Sequence, residues 1–274
     1  MNQKVQLALL AASAALCVTT TSGAQADEKL GTIERADKIY GKTVISSDNQ
    51  KVGKLNNLVL DLESGRILYA VIGADKGRVA VPPQIFNRTP STDDDDIRVN
   101  VTRQKIESAP HFGDYDKPEE LGKAELVSQV YQHFGKPAWW QGSQPVNQGS
   151  FNNVHKASKL VGMKVENVNN ADMGKVENVM LDLPAGRIPY VVLSPSGRLD
   201  LGDKLFALPP DALTLSRDHD NLVSSIDKDK LTSAPHFEKG NWGQLSDPSF
   251  ASRVYQYYGK QAYFGEGSLR PTGR

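Results

Sequence analysis

Residues 41–72, GKTVISSDNQKVGKLNNLVLDLESGRILYAVI, return as residues 162–193, GMKVENVNNADMGKVENVMLDLPAGRIPYVVL, at a constant offset of 121. Fourteen of the 32 aligned positions are identical. They include Gly53-Lys54 with Gly174-Lys175, Leu60-Asp61-Leu62 with Leu181-Asp182-Leu183, and Gly65-Arg66-Ile67 with Gly186-Arg187-Ile188. Beyond this block Val81-Pro82-Pro83 answers Leu208-Pro209-Pro210, and Ser108-Ala109-Pro110-His111-Phe112 answers Ser233-Ala234-Pro235-His236-Phe237. Two long copies make a duplicated domain rather than a solenoid, whose repeats run to roughly 20–45 residues.

Within each copy the pattern is one of short strands. Val52–Leu62 alternates imperfectly, Ser64-Gly65 supplies a turn and Ile67–Ile72 is rich in β-branched and aromatic residues, which reads as a hairpin. Met173–Leu183 and Ile188–Leu193 repeat it around Ala185-Gly186. Gly77-Arg78 and Gly197-Arg198 mark the next turns, and Ile97–Val101 and Asn221–Ile226 are candidate last strands. Short strands with turns at close intervals predict a small barrel, which closes on itself and so removes exposed edges.

A helix is expected after each barrel. Pro118, Leu121, Val127, Val130, Tyr131 and Phe134, stopped by Gly135, define one; Pro248, Phe250, Val254, Tyr255 and Tyr258, stopped by Gly259, define the other. The fold class is therefore mainly β, two small barrels in tandem, each followed by one amphipathic helix. The expected boundaries are a signal peptide at 1–26, an extension at 27–37, barrel 1 at 38–112 and its helix and aromatic pair at 113–140. A flexible linker follows at 141–157, then barrel 2 at 158–237, its helix and aromatic pair at 238–264, and a tail at 265–274.

The first 26 residues stand apart. Lys4, an apolar run from Val5 to Val18 and Ala24-Gln25-Ala26 read as a secretory signal cleaved after Ala26, the run being too short to span a bilayer. Cys17, the one cysteine, follows Leu16 rather than the small residue a lipid-modified cysteine requires, so it is expected to leave with the signal. Periplasmic or secreted residence is the expectation. The remaining chain would have no disulfide or thiol chemistry and would depend on apolar burial for stability. With 32 basic and 32 acidic side chains the net charge is zero. That argues against a nucleic-acid partner and favours weak self-association.

The run from Gly41 through Asp61-Leu62-Glu63-Ser64-Gly65-Arg66-Ile67 to Val81-Pro82-Pro83, with its second copy, resembles the PRC-barrel domain. That domain is shared by the H subunit of photosynthetic reaction centres and the ribosome-maturation factor RimM. The resemblance covers residues 38–112 and 158–237. It implies a strongly bent small β-barrel and roles in assembly more often than catalysis, with no catalytic residues to carry over. The export signal, and the lack of the reaction-centre subunit's membrane helix and of the ribosome factor's partner domain, keep either specific role from transferring.

Candidate sites divide between turn chemistry and contact surfaces. Asp61, Gly65 and Arg66, with Asp182, Gly186 and Arg187, read as hairpin architecture, the carboxylates accepting turn amide hydrogens. Gly53-Lys54 and Gly174-Lys175 lack the Gly-rich run of a phosphate loop and read as a bulge or turn glycine beside a solvated lysine. Of the five histidines (His111, His133, His155, His219, His236) only His111 and His236 are repeat-equivalent, and no zinc-type pair occurs. Asp93–Asp96 lacks the alternating ligands of a calcium loop and reads as a solvated acidic run. Trp139-Trp140 and Tyr263-Phe264 either fold back over the seam between helix and barrel or project as anchors for a partner. Together with His111 and His236 they are the interaction candidates.

No nucleophile, base and orienting group occur in a recognisable arrangement, so no enzyme, cofactor or metal is expected. The leading expectation is a non-enzymatic adaptor of the periplasm or cell envelope. It would engage a protein assembly through two tethered barrels, the tether raising the effective concentration of the second contact. The alternative is a carrier or sensor holding an apolar small molecule between barrel and helix or between the barrels.

Overall fold

The structure is a computed structural model that describes residues 33–75, 77–87, 96–110, 118–139, 151, 153–197, 202–218 and 220–262. The first unit runs β1 (Glu34–Arg35), α1 (Ala36–Ile39), β2 (Thr43–Ile45), β3 (Lys51–Asp61), β4 (Arg66–Ala74), β5 (Gly77–Val81), β6 (Asp96–Arg98) and α2 (Arg103–Glu107). It ends with α3 (Pro118–Leu121) and α4 (Ala124–His133). The second unit runs β7 (Val154–Lys156), α5 (Ala157–Leu160), β8 (Lys164–Asn167), β9 (Asp172–Asp182), β10 (Arg187–Pro195), β11 (Lys204–Leu208), β12 (Leu213–Leu215) and β13 (Leu222–Ser224). It closes with α6 (Lys228–Thr232), β14 (His236–Glu238) and α7 (Pro248–Tyr257).

Each unit is built on one long hairpin. In β3–β4, Asp61 faces Arg66 at the tip and Gly53 faces Ala74 at the base; β9–β10 repeats this from Asp182 opposite Arg187 to Gly174 opposite Pro195. The strands bend hard, and the bend is written in the repeated glycines. A Cβ on Gly53 would lie 2.0 Å from the Gly73 carbonyl oxygen, and one on Gly174 would lie 2.1 Å from that of Ser194. Only glycine admits so close a backbone approach. β2 pairs antiparallel with β3 and parallel with β6, while β8 pairs antiparallel with β9 and parallel with β13, curling each sheet into a barrel.

The helices dock as their apolar stripes require. Val127, Val130 and Tyr131 of α4 and Phe250, Ala251, Val254 and Tyr255 of α7 are buried, each aliphatic side chain worth about 1.5–3 kcal/mol relative to exposure. Gly135 (φ +62°) and Gly259 (φ +65°) end them, with Lys136 N donating to Tyr131 O and Lys260 N to Tyr255 O. The single helix expected from Pro118 is instead two, α3 and α4, broken at Gly122-Lys123. The cause is a returning chain: Phe151 N donates to Gly122 O at 2.8 Å, and a Cβ on Gly122 would lie 2.6 Å from Phe151 O.

That return is also the main correction to the sequence reading. Residues expected to finish a flexible linker form β7 and the start of α5, with His155 and Lys156 buried. Strand β7 pairs with β3 of the first unit, and β1, in the expected N-terminal extension, pairs with β9 of the second. The two barrels therefore exchange their entry strands. With Arg66 opposite Arg187 between β4 and β10, the fourteen strands of the described residues form one continuous sheet. A single apolar core runs through both units.

Candidate functional site

The residues repeated between the copies converge on the contact between the hairpin tips. Gly65 and Gly186 take left-handed φ values of +63° and +64°, which lets each tip turn back on itself. Ile67 N donates to Gly186 O at 3.0 Å, and Ile188 N donates to Gly65 O at 2.9 Å, so each tip hydrogen-bonds the other. A Cβ on Gly65 would meet Pro210 Cγ at 3.1 Å, and one on Gly186 would meet Pro83 Cγ at 2.8 Å. The repeated Pro-Pro pair of each barrel is thus the seat of the opposite tip.

Asp61 closes its own turn. Its Oδ2 accepts from Ser64 N at 3.2 Å and from the Ser64 hydroxyl, while Oδ1 is buried with no hydrogen-bond partner among the described residues. Burial holds the carboxyl above the ordinary carboxylate range, against the lowering effect of the Ser64 hydrogen bonds. Asp182 does the same work in the second copy, accepting from Ala185 N at 3.3 Å. The Arg66 guanidinium lies 5.2 Å above the Trp139 ring, a cation–π distance. Asn57, repeated as Asn178, caps the following amide in each copy; its amide also donates to Ser158 Oγ at 2.6 Å across the junction.

Entry strands complete the contact. Leu62 N donates to Asn153 O, and Asn153 Nδ2 reaches Leu213 O at 3.0 Å. His155, buried, has its Nε2 3.0 Å from Asn153 Oδ1. None of these junction residues beyond the hairpins was singled out from sequence. The available signal was Ala36-x-Lys38 against Ala157-x-Lys159, which keeps the same offset of 121 and extends the repeat toward the N-terminus.

The interaction candidates fall in different places. Trp139 is half-buried, 6.1 Å from the Phe151 ring and under Arg66, so it lines the seam rather than projecting. His236 is exposed on β14, its Nδ1 3.1 Å from Ala234 O and its ring 5.7 Å from Phe206. His111, Trp140, Tyr263 and Phe264 lie outside the described residues, as do His219 and Asp93–Asp95. Lys54 and Lys175 are exposed at equivalent strand positions, with no ion pair among the described residues. Among the described residues no group of His, Cys, Asp and Glu is placed to hold a metal ion, and no helix is long and apolar enough to cross a membrane.

A mainly β chain of two bent barrels, each built around a Gly-Arg-Ile hairpin, defines the class to which the molecule belongs. A family model, the PRC-barrel domain, matches it twice, over residues 31–106 and 152–231. Those segments cover more than half of the 274 residues, and the chain belongs to the PRC-barrel family. The matched segments begin before Lys38 and Ser158 and so take in β1, α1, β7 and α5, the elements the repeat alignment left out. The family is generally non-enzymatic. Among curated proteins, no sequence matches the chain.

Proposed function

We propose that this protein is a non-enzymatic interaction module, exported to the periplasm or cell envelope, that engages a protein assembly. One observation carries the reading. Most residues repeated in both copies are spent on structure: turn (Gly65, Asp61), close strand approach (Gly53), core (Leu60, Tyr69) and junction (Arg66, Ile67). Duplication that keeps architecture, with no reactive set among the described residues, supports a scaffold reading. The family's generally non-enzymatic character supports the same view.

Lys54 and Lys175 are the repeated residues for which the fold has no use. They stand on equivalent strands outside the junction, and in this reading they meet acidic groups on the assembly. The barrels share one sheet and one core, so in this reading the two contacts are presented at a fixed spacing rather than at the ends of a tether. The experiment is native mass spectrometry of the protein purified gently from its host's envelope fraction, beside the double variant Lys54→Glu, Lys175→Glu. A co-purifying protein that the variant loses is the expected result. Added mass of a small apolar molecule would replace the reading with that of a carrier, and recovery from the cytoplasm with residues 1–26 retained would remove the export part of it.

A further inference from the structure

The contacts between the hairpin tips and the entry-strand ladders that join the two units are made twice, once in each direction. The Ile67-to-Gly186 hydrogen bond has its counterpart from Ile188 to Gly65, and Gly65 against Pro210 has its counterpart in Gly186 against Pro83. Glu34 pairs with Leu181 across β1–β9, and His155 pairs with Leu60 across β7–β3. Adding 121 to Glu34 and Leu60 gives His155 and Leu181, so the second pair is the first with the units interchanged. The short helices α1 and α5, equivalent in the two units, touch each other. Such an arrangement, in which residue i meets j and j meets i, is the isologous interface of a two-fold homodimer, here written into one chain.

The surface is also selective for itself. A partner tip needs glycine where Gly186 lies, because any Cβ there is strained by φ and driven into Pro83. It must also offer a Pro-Pro seat to receive the tip opposite. A unit of this same chain carries both features, and eight of the fourteen identities between the copies fall within residues 60–71, at and beside the tip. Nothing in these contacts depends on the two units being joined covalently. Covalent connection of the units adds effective concentration, of the order of millimolar for a short connection.

We propose that the junction is an exchangeable dimerisation surface. Unit 1 of one molecule docks on unit 2 of a second copy, and the reverse, giving a closed dimer with two complete junctions and no new contact. Opening the junction breaks a buried strand ladder, so the two forms interconvert slowly and the form adopted is fixed during folding. This goes beyond the adaptor reading and does not depend on what the outer faces bind.

The test uses the chain from Asp27 onward, which contains no cysteine. It is unfolded in denaturant and refolded over a series of concentrations up to about 1 mM, the range set by the linker's effective concentration. Light scattering after size exclusion should show a dimer fraction that rises with refolding concentration and persists on dilution. Two single variants, Arg35→Cys and Met180→Cys, whose Cα atoms are partners in β1–β9, are then refolded together and oxidised. The expected product is a disulfide-linked pair of the two different chains. The double variant Arg35→Cys, Met180→Cys in one chain, refolded dilute, should close internally and shows that the geometry permits the bond. If that variant does not close, the equivalent pair Lys156→Cys and Val59→Cys gives the same comparison in β7–β3. Monomer at every refolding concentration, or internal closure without any linked pair from mixed single variants, overturns the proposal.

Discussion

A side chain at Gly65 or Gly186 meets two obstacles at once, a left-handed backbone and the proline of the other barrel. Forcing a β-branched residue into that region costs about 1–3 kcal/mol before any clash is counted. Gly65→Val and Gly186→Val should both lower the urea midpoint, Gly186→Val by more, since its Cβ contact is 2.8 Å against 3.1 Å. Because both tips serve one junction, the loss should appear in the whole molecule and not in one copy. Melting indistinguishable from wild type would show the tips to be unconstrained. Asp61 offers the opposite experiment. Its folded-state pKa is raised by burial, so it favours the fold most below the unfolded value of 3.8 and loses that contribution as pH rises through the folded value. Asp61→Asn keeps an acceptor for Ser64 and removes the buried charge. Denaturant titration should find the variant equal to or more stable than wild type at pH 7, with the difference shrinking toward pH 3; a variant that loses ground at neutral pH relative to acid would contradict the assignment.

At the scale of elements, the duplicated hairpins differ in how one tyrosine hydroxyl is used. Tyr69 of β4 donates to Leu121 O at 3.0 Å and pins α3 to the barrel. Its counterpart Tyr190 of β10 is fully buried with no hydrogen-bond partner for its hydroxyl among the described residues. There the anchor is made from the helix side, Tyr255 of α7 donating to Pro189 O at 2.8 Å. Tyr69→Phe and Tyr255→Phe should each cost about 1 kcal/mol, while Tyr190→Phe should be neutral or stabilising, since it removes a buried polar group that satisfies nothing. Equilibrium urea unfolding of the three variants checks the ordering, and an equal cost at Tyr69 and Tyr190 would refute it.

The hairpins themselves were legible in sequence because everything that fixes them is local. Alternation, Ser64-Gly65 or Ala185-Gly186 at the turn and the repeated Asp and Arg beside it lie within a few residues of one another. The helix stops at Gly135 and Gly259 were legible for the same reason. The entry strands were not. Ile33-Glu34-Arg35 and Val154-His155-Lys156 are too short to show a period, and their charged residues resemble solvated linker. What makes them strands is a ladder offered by the other unit, more than ninety residues away in the chain, and no local pattern carries that. Whether Trp139 lines the seam or projects depends on Arg66 and Phe151, residues equally invisible from its own neighbourhood.

For the molecule as a whole, one core and one fourteen-stranded sheet imply one cooperative unit. Calorimetry should show a single transition whose van't Hoff and calorimetric enthalpies agree, with tip variants shifting the entire peak. Two resolved transitions would mean that the barrels melt independently and that the exchanged entry strands contribute little. The exchanged strands have a further consequence. In a dimer of identical subunits each residue must serve in two symmetry-related places at once, whereas in this chain the two places hold different residues, Glu34 in one and His155 in the other. The body is two-fold, yet its two ends are no longer interchangeable. The molecule therefore has a direction, one end marked by a carboxylate where the other carries an imidazole.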